Sequence, residues 1–169
     1  MTNVVCASNE VERIAKFKPR ARLLLQLGDQ LIKNESIALL ELAKNAYDAD
    51  ASKVDIVMRH PDSMEEGTIE IEDDGFGMTP DIVENVWLEP GSNYKQEQFA
   101  ERRLTPIFQR LPIGEKGIGR FGAHKLGNLI EMTTKSANAN EVFVRIDWTQ
   151  FAEHRYLEEV PIRIVEREH

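Results

Sequence analysis

Cysteine is almost missing from this chain: Cys6 is the single one among 169 residues. That excludes an internal disulfide and leaves no cysteine cluster for zinc. It fits a reducing, cytoplasmic setting. Long apolar runs are missing too, and no stretch approaches the roughly 18–20 residues that a membrane span needs. The opening residues MTNVVCASNEVERIAKF carry charges and lack a long apolar centre, which excludes a secretory signal. A basic surplus is also lacking: 21 Lys and Arg face 29 Asp and Glu, for a net charge of −8. A duplex-binding domain needs a basic footprint, so no direct nucleic-acid binding is expected. Lys16, Lys18, Arg20 and Arg22 read either as a local basic patch or as the solvated entrance of a helix. There is no internal repeat and no low-complexity tract. What remains, at 41% hydrophobic and 30% charged residues, is a soluble globular chain long enough for one domain with a full core.

Hydropathy patterning places the elements. Residues 1–17 read as an N-terminal arm without a clear core face, and 18–169 as the domain proper. Pro19 suits a first helical turn, and Leu23, Leu24, Leu27 and Leu31 follow at helical spacing. Asn34 and Ser36 can cap a second helix running through Asp48. Its apolar residues nearly surround it, which predicts a largely buried helix. Residues 53–59 alternate like a half-buried strand with Val54, Ile56 and Met58 on one face, and 68–73 alternate likewise, so the two form a hairpin. Thr79 and Pro80 open a helix reaching about Trp87. Residues 88–113 are polar, contain three prolines and show little periodicity. So long a connection is functional or mobile. A short helix from Gly119 and three further strands, LIEMTTKS, EVFVRIDW and VPIRIVER, complete the chain. The order predicts an α+β, two-layer sandwich: a mixed, mostly antiparallel sheet with helices on one face.

Three short segments carry chemistry. In ELAKNAYDA (41–49), residues four and seven apart share a helix face, so Glu41, Asn45 and Asp48 form a polar stripe on an apolar helix. Burying such groups without partners costs about 1–3 kcal/mol each, so they need a reason. Either they form a satisfied network, with Asp48 as a helix-end cap, or Asn45 offers its amide oxygen to a hard cation beside Glu41. Mg²⁺ suits that second reading, because it takes oxygen ligands and completes its shell with waters and phosphates. In DDGFGM (73–78), Asp73 ends a strand and can accept a hydrogen bond from adenine's amino group. Gly75 and Gly77 let a base lie against backbone, and Met78 supplies an adaptable apolar wall. An ordinary Asp-Gly turn is the competing reading. In GEKGIG (114–119), Gly114, Gly117 and Gly119 let backbone amides approach a phosphate chain, and Lys116 adds a charge. No Gly-Lys-Ser/Thr follows, so this is not a Walker motif, and no βαβ unit precedes it, which disfavours a dinucleotide fold.

Together, in this order, the segments resemble the N-box and the two glycine boxes of the GHKL superfamily, which includes gyrase, the ninety-kilodalton heat-shock chaperones, histidine kinases and MutL. The wording lies nearest the Hsp90-like, MORC-like and MutL-like ATPase branch, and the resemblance spans roughly residues 20–150. It implies the Bergerat ATP-binding fold, with nucleotide between a helical layer and a movable lid. By resemblance, Asn45 binds Mg²⁺, Asp73 reads the adenine, Gly75, Gly77 and Met78 line the base, and Gly114, Lys116, Gly117, Ile118 and Gly119 wrap the phosphates. Thr134 matches a family threonine that supports the base through water, with Thr133 as the competing assignment. Residues 88–113 match the lid. Glu41 matches the glutamate that polarises the attacking water in hydrolysing members, and a carboxylate one turn from the metal ligand suits a general base.

The four histidines, His60, His124, His154 and His169, include no upstream phospho-acceptor helix of the kinase type. An ATPase module that closes a dimer and drives a larger machine is therefore the first reading. A phosphotransfer kinase domain and an ATP sensor without turnover are the alternatives. Related machines draw a γ-phosphate lysine or arginine from a following domain, so the chain reads as the N-terminal part of a longer protein and as a weak ATPase alone.

Overall fold

The computed structural model describes residues 14–63, 65–92, 94–114 and 119–168. Most of the expected arm, together with Lys116, Gly117 and Ile118 of the third segment, lies outside the described residues. Helix α1 covers Arg22–Leu31 and α2 covers Glu35–Asp48. Asn34 caps α2 by accepting the Ile37 amide on its Oδ1 at 3.0 Å, a contact worth about 1 kcal/mol to the helix. Strands β1 (Val54–Arg59) and β2 (Thr68–Asp73) pair as an antiparallel hairpin in which Ile56 faces Ile71 and Met58 faces Ile69. Thr79 caps α3 (Pro80–Ile82), accepting the Ile82 amide at 3.3 Å, and Pro80 sits in the first turn. A π-helical turn, Val83–Trp87, continues it. Helix α4 (Tyr94–Ala100) lies inside the long polar connection. A 3₁₀ helix (Gly119–Lys125) leads into β3 (Leu129–Thr134), β4 (Glu141–Asp147), α5 (Gln150–Glu153), a 3₁₀ turn (Leu157–Glu159) and β5 (Arg163–Arg167).

The fold is α+β, with helices and antiparallel sheets. The described strands divide between a two-stranded sheet and a three-stranded sheet ordered β3-β4-β5, and all pairings in them are antiparallel. The alternation of β4 is read out directly: Val142, Val144 and Ile146 point inward and are buried. They meet Ala21 and Leu24 of the α1 region, Val83 after α3, and Trp148 and Phe151 from the β4–β5 connection. The Trp148 and Phe151 rings stack with centroids 4.7 Å apart. Met78 packs against the edge of this core, which ties the second segment to it.

Four expectations need correction. On α1 the buried residues are Leu24 and Gly28, in line with Ala21 before the helix, whereas Leu23, Leu27 and Leu31 are exposed. The buried face is the one that carries the small residues Ala21 and Gly28. Helix α2 is half-buried rather than largely buried: only Ala38 and Ala46 are enclosed. Its main contacts are with the 3₁₀ helix, so one face stays open. All six β1 residues are exposed, not half-buried, because the hairpin's main partner is its own second strand. The long connection contains α4, since YKQEQFA is made largely of helix-compatible residues and its ends alone carry the turn signals.

Candidate functional site

The three segments meet at the C-terminal end of α2. Glu41, Asn45 and Asp48 occupy one face of that helix and are each half-buried. Glu41 accepts an ion pair from Lys44, with Nζ 2.6 Å from Oε1. Asp48 is no local cap. Its carboxylate accepts the Ile113 amide at 2.8 Å and the Gly114 amide at 3.3 Å, which fixes where the glycine-rich segment leaves the connection. Gly119 begins the 3₁₀ helix at the other end of that segment.

The second segment is held from two sides. The Phe76 amide donates to the Ala49 carbonyl at 2.9 Å, beside the end of α2. The Met78 amide donates to Thr134 Oγ1 at 2.9 Å, on the last residue of β3. Thr133, the competing assignment, points to the exposed face. Between these anchors Gly77 adopts φ +64°, and a Cβ there would lie 2.1 Å from the Lys135 carbonyl oxygen. Only glycine fits so close an approach in that backbone conformation. Asp73 is exposed; its Oδ1 accepts the Gly75 amide at 2.9 Å, and no described residue donates to its Oδ2. The neighbouring Asp74 does a different job. It accepts the Ser52 amide at 2.7 Å, the Ser52 hydroxyl and the Lys53 amide at 2.9 Å, closing the turn between α2 and β1. The Ser52 hydroxyl, followed by these amides, holds its carboxyl below the usual value.

A second carboxylate, which the sequence reading did not single out, lies just beyond α2. Asp50 is buried, with φ +61°, and accepts Thr105 Oγ1 at 2.6 Å, the Ile107 amide at 2.6 Å and the Phe108 amide at 3.1 Å. Burial opposes its ionisation, yet these donors and the charge of Arg110 outweigh burial, so its pKa is lowered. Arg110 reinforces the joint: Nη1 donates to the Ala51 carbonyl at 2.7 Å, and its guanidinium lies over the Tyr47 and Phe108 rings at 4.6 and 4.3 Å. The connection's C-terminal half, 105–114, is therefore pinned to the end of α2 by Asp48 and Asp50. The only sequence signal was a pair of aspartates just where the helix pattern stops.

Among the described residues no group of three His, Cys, Asp or Glu side chains is gathered as a metal cage. An amide oxygen such as that of Asn45 is a hard donor suited to Mg²⁺, which completes its shell with waters and phosphate oxygens. The donor set thus fits Mg²⁺ held together with a phosphate chain. No helix among the described residues is long and apolar enough to cross a membrane.

An open helix face, a glycine turn and the described start of a glycine-rich segment come together at the end of α2. The family model described as "Histidine kinase-, DNA gyrase B-, and HSP90-like ATPase" matches residues 33–168. The chain belongs to this GHKL ATPase family. The chaperone protein HtpG of Clostridium acetobutylicum is 27% identical over 146 residues, which cover 77% of this chain and 23% of the chaperone. HtpG of Shewanella frigidimarina is 31% identical over 144 residues, covering 74% of this chain and 22% of that protein. The candidate type II restriction enzyme HgiDII of Herpetosiphon aurantiacus is 31% identical over 109 residues, covering 64% of this chain and 16% of that protein. The chain spans less than a quarter of the length of each of these relatives.

Proposed function

We propose that this domain binds ATP with Mg²⁺, hydrolyses it, and uses nucleotide state to close the 88–113 connection over the phosphates as part of a larger cytoplasmic machine that dimerises when closed. The observation that carries this reading is the joining of the three segments at the end of α2, Asp48 to Gly114 and Ala49 to Phe76, with Met78 tied to Thr134 at the end of β3. Asp73 Oδ2 accepts from adenine's amino group, and Thr134 supports the base beside Met78. Gly114 to Gly119 follow the phosphates, with Lys116, Gly117 and Ile118 in that segment. Asn45 holds Mg²⁺, which neutralises charge on the phosphate oxygens when bound. Glu41 accepts a proton from water as that water attacks the γ-phosphorus. The bond from that phosphorus to the bridging oxygen breaks, ADP and phosphate leave, and the proton passes to solvent.

Calorimetry with Mg²⁺ and ATP, ADP or GTP, on wild type and Asp73→Asn, tests the reading. Adenine nucleotides should bind and GTP should not, because a carboxylate facing guanine's carbonyl oxygen has no proton to accept. The substitution should abolish the preference. Equal binding of GTP would remove the assignment. Phosphate release by this chain, compared between wild type and Glu41→Ala, tests the hydrolysis step.

A further inference from the structure

We propose that the corner where the start of α1 meets the β4–β5 connection binds single-stranded nucleic acid. Lys16, Lys18, Arg20, Arg22 and Arg155 hold its phosphates, and one base lodges in a cavity between Phe17 and Tyr156. None of these residues belongs to the three segments of the proposed ATP site, so the inference stands apart from that reading.

Two distant stretches of chain build this corner. The Ala21 amide donates to the Arg155 carbonyl at 3.3 Å, and the Leu157 amide donates to the Pro19 carbonyl at 3.2 Å. They form an antiparallel bridge that sets Arg20 opposite Tyr156. The bridge brings the basic run at 16–22 beside Arg155. All five cations are exposed, and none forms an ion pair with a described residue. Lys18 Nζ and the Arg155 guanidinium lie 5.8 and 5.2 Å from the centre of the Tyr156 ring. Phe17, Lys18, Pro19, Tyr156, Leu157 and Glu158 line a cavity of about 290 Å³. Phe17 is fully exposed.

Charges of one sign gathered in this way repel, and these stand at the wrong end of a helix. Helix α1 begins at Arg22, where its dipole is positive. Its first turn carries no acid, and Ala21 supplies no side-chain cap. A polyanion relieves both conflicts. The local charge is the reverse of the chain's net −8, so it is a feature of this corner and not of the whole surface. Phe17, between two lysines, adds an open ring face. A single strand offers phosphates to the cations and a base to the rings at once. A duplex keeps its bases stacked inside and asks for a broad basic footprint, which this acidic chain lacks. A run of acidic residues offers charge without a base for the cavity.

The test is fluorescence anisotropy of this chain with a labelled oligothymidylate of about twelve nucleotides. Neutralising three or four phosphates predicts that affinity falls about 20- to 50-fold between about 50 and 200 mM salt. Lys18→Gln combined with Arg20→Gln should weaken binding and flatten that dependence to about three- to sevenfold. Phe17→Ala should weaken binding about tenfold and leave the salt dependence as it is, because stacking involves no counterion. Phe17 is exposed, so an unchanged melting temperature checks that this variant is folded. Saturating Mg²⁺-ADP should leave the strand bound; displacement would place it at the end of α2 and overturn the proposal. No binding by wild type at low salt overturns it, as does wild-type affinity in Phe17→Ala. Equal affinity for a hairpin duplex or for polyglutamate would mark a general polyanion surface, and preference for phosphatidylserine vesicles a membrane surface. Either result sets the single-strand site aside.

Discussion

Replacing Gly77 by alanine tests the joint between the glycine turn and β3. Two costs arise together. Gly77 sits at φ +64°, where a Cβ costs about 1–2 kcal/mol. The new Cβ would also lie 2.1 Å from the Lys135 carbonyl oxygen and 2.6 Å from its carbon, so the two segments must part by more than 1 Å to reach ordinary contact. That separation breaks the Met78 amide to Thr134 hydroxyl bond, worth about 1 kcal/mol. The total is about 2–3 kcal/mol, a fall of roughly 5–10 °C in Tm for a domain of this size. Gly91 provides the control. It also has positive φ, at +82°, but a Cβ there meets nothing within 4 Å. Gly91→Ala should therefore carry only the backbone cost of about 1–2 kcal/mol. Urea unfolding of both variants measures the difference, and ADP calorimetry well below the transition should show weaker binding in Gly77→Ala alone. If the two variants lose equal stability and bind ADP alike, the close approach at Lys135 does not shape the site.

Three further outcomes are expected. Asp50→Ala strips the acceptor from Thr105, Ile107 and Phe108; hydrogen exchange across 104–114 should accelerate strongly while the β3–β5 sheet is unchanged, and uniform acceleration would show that the joint is not local. Glu41→Ala should leave Mg²⁺-ADP binding nearly intact and abolish phosphate release, whereas Asn45→Ala should weaken Mg²⁺-dependent binding; wild-type turnover in the first variant would remove Glu41 as the base. The lowered carboxyls of Asp50 and Asp74 make stability depend on acid pH. Their folded pKa values lie below the ordinary 3.8, so their contribution is present above that value and is lost as pH falls through the lowered one. Urea midpoints between pH 6 and about pH 3 should drop less steeply in Asp74→Asn than in wild type, and parallel curves would count against it.

Local features were legible because their causes are local. The Asn34 cap, the Thr79-Pro80 helix start and the pairing of β1 with β2 involve residues close in the chain, and each stands where the pattern put it. The three segments pointed to the GHKL family for a related reason: their residue types and order survive in the one-dimensional chain. Periodicity alone misjudged α1, where Leu23, Leu27 and Leu31 follow a helical repeat yet face outward. Which of two apolar stripes is buried depends on what the helix meets, and the smaller residues Ala21 and Gly28 allow the closer approach.

The sequence by itself determined the α+β class, the β1–β2 hairpin and the family membership, since these follow from near-neighbour pattern and motif order. Only the tertiary structure decided the partners of the carboxylates. Asp48 reaches Gly114 across 66 residues, and Asp50 reaches Thr105 across 55. Nothing local to either aspartate encodes such a choice, because a buried acceptor takes whichever donors the chain path delivers. The same holds for Lys135 against Gly77, where glycine is required by backbone just past β3 that arrives from elsewhere in the chain.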